Sequence, residues 1–132
     1  MRFQESWLRG AETSPTSQQN LEATLDLALG LGINHVETAR GYGTSEAQLG
    51  PALARHRRDR FLLQSKVLPT EDAKEFEGHL EESLRLLRVE YLDLFAVHGV
   101  NDETSVELTL APGGCLEVAE RWRKQGRIRA LG

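Results

Sequence analysis

The feature that most constrains this chain is a regular exchange between two periodicities of apolar residues, one helical and one strand-like. Over residues 16–31, Leu21, Leu25 and Ala28 follow the i, i+4, i+7 rule, and Leu29 widens the stripe. Ser14–Pro15 marks a helix start, and Gly30 and Gly32 bracket its end. Residues 33–39 (INHVETA) then read as a strand, followed by the glycine-punctuated loop RGYGT. A second helix is predicted to open at Ser45, with Gln48 three residues on as a capping box requires. Pro51 falls inside it and is expected to kink or shorten it. FLLQSKV is a compact second strand, ended by Pro69. Phe76, Leu80, Leu84 and Leu87 mark one face of a third helix over about 71–88, with acidic residues in its first turn. YLDLFAVHG is near-continuously apolar, as a strand covered on both faces would be. A longer connection, VNDETSVELTLAPGG, precedes a helix over 114–125, and IRALG begins a fourth strand. Helix and strand thus alternate four times, which predicts an α/β fold with a parallel sheet.

Composition narrows the class. A hydrophobic fraction of 39% suits a globular domain, and 132 residues have the length of one such domain. No apolar run approaches the roughly 18 residues that a membrane span requires, and MRFQESWLRG lacks the apolar stretch of a signal peptide. With one cysteine, Cys115, the chain can form no internal disulfide and no thiolate metal cluster alone. A cytoplasmic setting follows from these features. The net charge is −4 with both signs mixed along the chain, so nucleic acid is not an expected partner. The basic cluster Arg55, Arg57, Arg58 and Arg60 reads as a solvated helix end. His35, His56 and His79 share no spacing with carboxylates that would suggest a metal site.

In parallel α/β proteins, functional groups gather at the carboxyl ends of the strands. Those ends carry Glu37 with Tyr42 just beyond, then Lys66, then His98. Singly, each has a plain structural reading: a solvated lysine, a core histidine, a tyrosine filling a turn. Their recurrence at the same end of three successive strands favours a site. A free phenol, with a pKa of about 10, is a poor proton donor at neutral pH. A nearby ammonium favours the phenolate, a carboxylate holds the ammonium, and an imidazole can hydrogen-bond a substrate oxygen. Such a set suits proton delivery to a carbonyl oxygen that gains negative charge.

The segment GINHVETARGYGTSEAQLG resembles the aldo-keto reductase signature, read as G-I-N, two residues, D-T-A, two residues, Y-G, then S-E and L-G. Lys66 in LLQSKV and His98 in YLDLFAVHG match the family's lysine and histidine, and GRIRALG resembles its fifth strand. The resemblance covers about residues 20–132. It implies a partial (β/α)8 TIM barrel, about the first half of an aldo-keto reductase barrel, in one incomplete domain over residues 1–132. It further implies NADPH-dependent reduction of a small-molecule carbonyl to an alcohol. Tyr42 would be the general acid, Lys66 would tune it, Glu37 would pair with Lys66, and His98 would orient the carbonyl. Met1, Glu37 and Tyr42 would face the cofactor. This chain departs from the signature at Glu37, where the family usually has Asp. Together with MRFQESW, that Glu resembles a bacterial subgroup, some of whose members append an iron–sulfur segment.

A complete barrel of this kind needs about 250 residues. The chain stops just after a strand begins, so a truncated form lacking most of the cofactor site is expected. An open half barrel would leave an unpaired sheet edge that invites self-association. The alternative is a non-enzymatic, barrel-derived regulatory or binding subunit, for which the exchange at Glu37 would be tolerable. Among the remaining residues, Trp7 is a candidate for lining a substrate pocket, and Trp122 for packing. Cys115 reads as a small, partly buried residue, and Asp93 as a structural group that needs a buried partner.

Overall fold

The computed structural model describes residues 4–132; Met1, expected above to face the cofactor, lies outside the described residues. In chain order the elements are α1 (Pro15–Gly30), β1 (His35–Glu37), α2 (Ser45–Leu53), β2 (Leu62–Val67), α3 (Ala73–Leu87), β3 (Leu92–Val97), α4 (Glu103–Leu110), α5 (Cys115–Lys124) and β4 (Ile128–Leu131), with a 3-10 turn at Arg58–Arg60. The four strands form one parallel sheet in the order β1-β2-β3-β4. Sequential neighbours joined by helices are the arrangement that the alternating periodicities require.

Local chemistry explains most of the boundaries. The Ser14 hydroxyl accepts from the Ser17 amide at 3.2 Å, and Pro15 opens α1, where its missing N–H costs nothing. The Asp72 carboxylate accepts from the Lys74 amide at 2.9 Å at the start of α3. That helix ends on Arg88 in the left-handed conformation, φ 56°. The predicted capping box of α2 is not formed by Ser45. Thr44 occupies the cap position, and Ser45 Oγ instead pairs with Thr38 Oγ1 at 2.9 Å in a buried contact. Pro51 lies inside α2, which closes two residues later. The connection after β3 contains α4, a helix that the periodicity does not reveal. Its capping box pairs Asp102 with Ser105, and that D-x-x-S spacing was its one legible sign.

Apolar stripes of the helices cover one face of the sheet. Leu25 and Leu29 of α1, Leu49 and Leu53 of α2, Phe76, Leu80, Leu84 and Leu87 of α3, and Trp122 of α5 are all buried. They join Val36, Leu63, Val67, Leu92, Phe95 and Ile128 in one core. Each such side chain contributes roughly 1.5–3 kcal/mol on burial. Along β2, alternation puts Leu63, Ser65 and Val67 on the covered face, and Leu62, Gln64 and Lys66 on the other. On β3, Leu94 and Ala96 are half-buried, so its continuous apolarity does not mean equal cover on both faces.

At the amino ends of the strands, Asp93 is buried and fully engaged. It accepts from the Leu63 amide at 2.9 Å, from Arg58 at 2.5 Å and from Arg129 at 2.9 Å. The two guanidinium groups also flank the Tyr91 ring at 4.1 and 4.2 Å. Arg58 is therefore part of a half-buried ion network, which corrects its reading as one of four solvated cations. Asp93 is structural, as expected.

Helices α2 and α3 come into close contact at Gly50, where a Cβ would overlap the Leu86 carbonyl. Gly50→Ala is expected to lower stability by about 1–3 kcal/mol, because backbone must move to admit the methyl group. A urea midpoint unchanged from the wild type would refute this close approach.

Candidate active site

Parallel register brings three strand ends level. The Thr38 amide donates to Gln64 O at 2.9 Å, the Arg40 amide to Lys66 O at 2.9 Å, and the His98 amide to Val67 O at 2.8 Å. These bonds carry the ladder one step past each strand and place Glu37, Lys66 and His98 side by side. Glu37 closes β1, Lys66 is the penultimate residue of β2, and His98 follows β3 directly.

Tyr42 comes from the loop after β1, and that loop is tightly held. Its turn is closed by the Tyr42 amide to Ala39 O at 3.0 Å and the Ser45 amide to Tyr42 O at 2.9 Å. Residues 4–10 are strapped across it. The Thr44 amide donates to Ser6 O at 3.0 Å, and the Glu5 amide donates to both Thr44 Oγ1 and Gln48 Oε1 at 3.1 Å. The strap crosses at Gly43, φ 52°, where any Cβ would run into the Ser6 carbonyl.

The four expected residues form one cluster. Lys66 Nζ is ion-paired with Glu37 Oε1, and the lysine side chain is only 15% exposed. The same ammonium faces the Tyr42 ring at 5.1 Å from its centroid. The rings of Tyr42 and His98 meet edge to face, 5.5 Å apart and inclined at 85°. A Cβ placed on Gly41 would stand 3.7 Å from His98 Nδ1, so the backbone turn abuts the imidazole. The arrangement sets one half-buried ammonium against both a carboxylate and a phenol ring. The extra methylene of Glu37 does not break the pair with Lys66.

Behind the cluster stands a residue that the sequence reading did not single out. Glu46 of α2 is 2% exposed and accepts from Ser65 Oγ of β2 at 2.7 Å and Ser83 Oγ of α3 at 3.1 Å. It thereby ties both neighbouring elements to the start of α2, one residue from Lys66. Its signal was a carboxylate sharing a helical face with Leu49, Gly50 and Leu53. The other candidates differ in exposure, and the Trp7 backbone lies against Gly43, next to Tyr42. Trp7 is 64% exposed, whereas Trp122 is fully buried and donates to Glu77 at 2.8 Å, as packing would have it. Cys115 is fully buried, more so than expected, and exchanges hydrogen bonds of 3.4 Å with the Thr70 backbone. Each remaining histidine has its own neighbour: His35 meets Gln64, His56 meets Asp26, and His79 meets Glu75. No described helix is long and apolar enough to cross a membrane.

A family model described as the aldo/keto reductase family matches residues 1–132, and the chain belongs to that family. A curated aldo-keto reductase of Mycobacterium sp. (strain KMS) is 32% identical over 120 residues, covering 89% of this chain and 41% of that protein. The crystal structure of an aldo-keto reductase from Klebsiella pneumoniae in complex with NADPH is 29% identical with a TM-score of 0.75, covering 96% of this chain and 42% of the other. That of the thermostable aldo-keto reductase Tm1743 with the inhibitor epalrestat is 30% identical with a TM-score of 0.75, covering 96% and 45%. The chain thus spans about two-fifths of the length of these relatives, and its four-stranded sheet is part of an aldo-keto reductase barrel.

Burial raises the Glu46 carboxyl above its ordinary value of 4.5, against the lowering effect of the Ser65 and Ser83 hydroxyls and Arg40. A folded-state value above the unfolded one contributes stability that is complete below about 4.5 and lost as pH rises through the folded value. Glu46→Gln is therefore expected to flatten the decline in stability above about pH 5. Urea unfolding across that range checks it, and parallel profiles for the two proteins would count against a buried, titrating carboxyl.

Proposed function

We propose that this chain carries the proton-transfer part of an NAD(P)H-dependent carbonyl reductase centre. The observation that supports it most is the placement of one half-buried ammonium between the Glu37 carboxylate and the Tyr42 ring, with His98 edge-on to that ring. Tyr42 would donate its proton to the carbonyl oxygen of a small molecule as that oxygen becomes an alkoxide. Lys66 would stabilise the phenolate left behind, and Glu37 would hold Lys66 charged and in place. His98 would orient the carbonyl by a hydrogen bond to its oxygen.

The set contains a proton donor and its tuning groups but no group able to deliver hydride, so it fits a nicotinamide as the missing reagent. When bound, NAD(P)H supplies hydride to the carbonyl carbon. Glu37 and Tyr42 are the described residues proposed to face the nicotinamide ring. The Glu37–Lys66 pair also weakens the regulatory-subunit alternative, because the longer carboxylate still performs the pairing role.

An NADPH-consumption assay with a small aromatic aldehyde, run at millimolar NADPH so that weak cofactor binding does not mask turnover, tests this reading. Tyr42→Phe is expected to lower the rate about 10²- to 10⁴-fold, the usual contribution of a positioned general acid. Tyr91→Phe, whose ring is stacked between two arginines at the far end of the strands, should retain it. Equal rates for wild type and Tyr42→Phe would sink the proposal. The 132-residue chain by itself is expected to bind NADPH only weakly, since the residues proposed to face the cofactor reach one end of it. A saturable quench of Trp fluorescence at micromolar NADPH would contradict that expectation.

A further inference from the structure

Next to the four-residue cluster lies a cleft of about 230 Å³, lined by Arg9, Arg40, Gly41, Leu68, Pro69 and His79 among others. Its lining includes two guanidinium groups and an imidazole but no carboxylate. The acidic groups nearest to them are engaged elsewhere. Glu82 is held by Arg85 in two hydrogen bonds of 2.7 Å, and Glu46 by Ser65 and Ser83. Glu75 stands 3.8 Å from His79 on the same helix. Among the described residues, no carboxylate lies within 4 Å of Arg9 or Arg40, and the buried Arg40 Nε has no hydrogen-bond partner. Burial lowers the pKa of Arg40 and the charge of Arg9 lowers it further, while Glu46 and Glu82 raise it in part. Burial and then Arg40 lower that of His79. Glu46 and Glu82 line the neighbouring cleft that shares Arg9 and Arg40 and offset part of this charge, but neither reaches ion-pairing distance, so the two guanidinium groups still favour an anion on the side away from them.

The cleft adjoins the proposed site at Gly41. Gly41 lines it and also abuts His98, while Leu68 lies two residues after Lys66. A ligand with its carbonyl at Tyr42 and His98 can extend across Gly41, a residue with no side chain to block the way. We propose that the substrate is a small carbonyl compound bearing an anionic group, a carboxylate or a phosphate, which Arg9 and Arg40 bind in this cleft. Arg9 and Arg40 are then specificity-determining residues. The inference rests on the carbonyl-reductase reading and adds the charge of the substrate to it.

The test is binding without turnover. The full chain is titrated with 4-carboxybenzaldehyde, 4-formylphenyl phosphate and benzaldehyde, following the Gly41 and Thr70 amides and the His79 ring by NMR. At least one anionic aldehyde is expected to bind about tenfold more tightly than benzaldehyde, the scale of a charge-assisted hydrogen bond. That ratio should shrink in both Arg9→Met and Arg40→Met, with folding checked by circular dichroism. Arg9 is exposed, so Arg9→Met keeps the test decisive if Arg40→Met fails to fold. Comparing the two anionic aldehydes identifies the preferred anion. No saturable shift with either, or a preference unchanged by the arginine variants, overturns the inference. Charge-selective binding with no reduction of any aldehyde would fail the catalytic reading alone; reduction of benzaldehyde without charge selectivity would fail this one alone.

Discussion

The main-chain hydrogen bonds that run past the ends of β1 and β3 onto β2 are what the site depends on. Parallel strands put all their carboxyl ends on the same side, and the bonds from the Thr38, Arg40 and His98 amides to β2 carbonyls extend that alignment into the loops. Side-chain alternation then decides which residues share a face. Lys66 stands opposite Ser65 and Val67 in this sense: it points away from the helical layer while they are buried within it. A register slip of one residue would turn Lys66 into the core and Ser65 out of it. The core residues of β2 and β3 therefore secure the site as much as the fold, since their burial makes that slip costly.

The two ends of the sheet use charge differently. At the amino ends, Asp93, Arg58 and Arg129 neutralise one another around Tyr91, and every oxygen of the buried carboxylate is engaged. At the carboxyl ends, one carboxylate meets one ammonium at Glu37 and Lys66, while Arg9 and Arg40 face Glu46 and Glu82 across a cleft without an ion pair within 4 Å among the described residues. The buried carboxyl of Glu46 joins α2, β2 and α3 directly behind the loop that carries Tyr42.

Much of this was legible in the residues. The strongly periodic α3 and the strands at 62–67 and 92–97 lie where the apolar patterns put them, because burial of those stripes is their main source of stability. The cluster of Glu37, Tyr42, Lys66 and His98 was legible through the strand-end rule and the ordered signature. What escaped were features decided by partners distant in the chain. Ser45 does not cap α2, because Thr38 claims its hydroxyl, and the strap from Glu5 and Ser6 takes up Thr44 and Gln48 instead. Arg58 was read as solvated, since nothing near it in sequence announces Asp93, 35 residues on. The short α4 lacks a strong apolar stripe, so only its cap could have revealed it.

Amino-acid order alone was enough to specify the class of fold and the identity of the four clustered residues, because both rest on local periodicity and on motifs with constant spacing. The orientation of Tyr42 toward Lys66 and His98, the burial of Glu46, and the joining of Arg9 to Arg40 and His79 in one cleft came only with the folded chain. Each of these depends on which side chain meets which across tens of residues of sequence. Such meetings are set by packing of whole elements, and no local pattern encodes them.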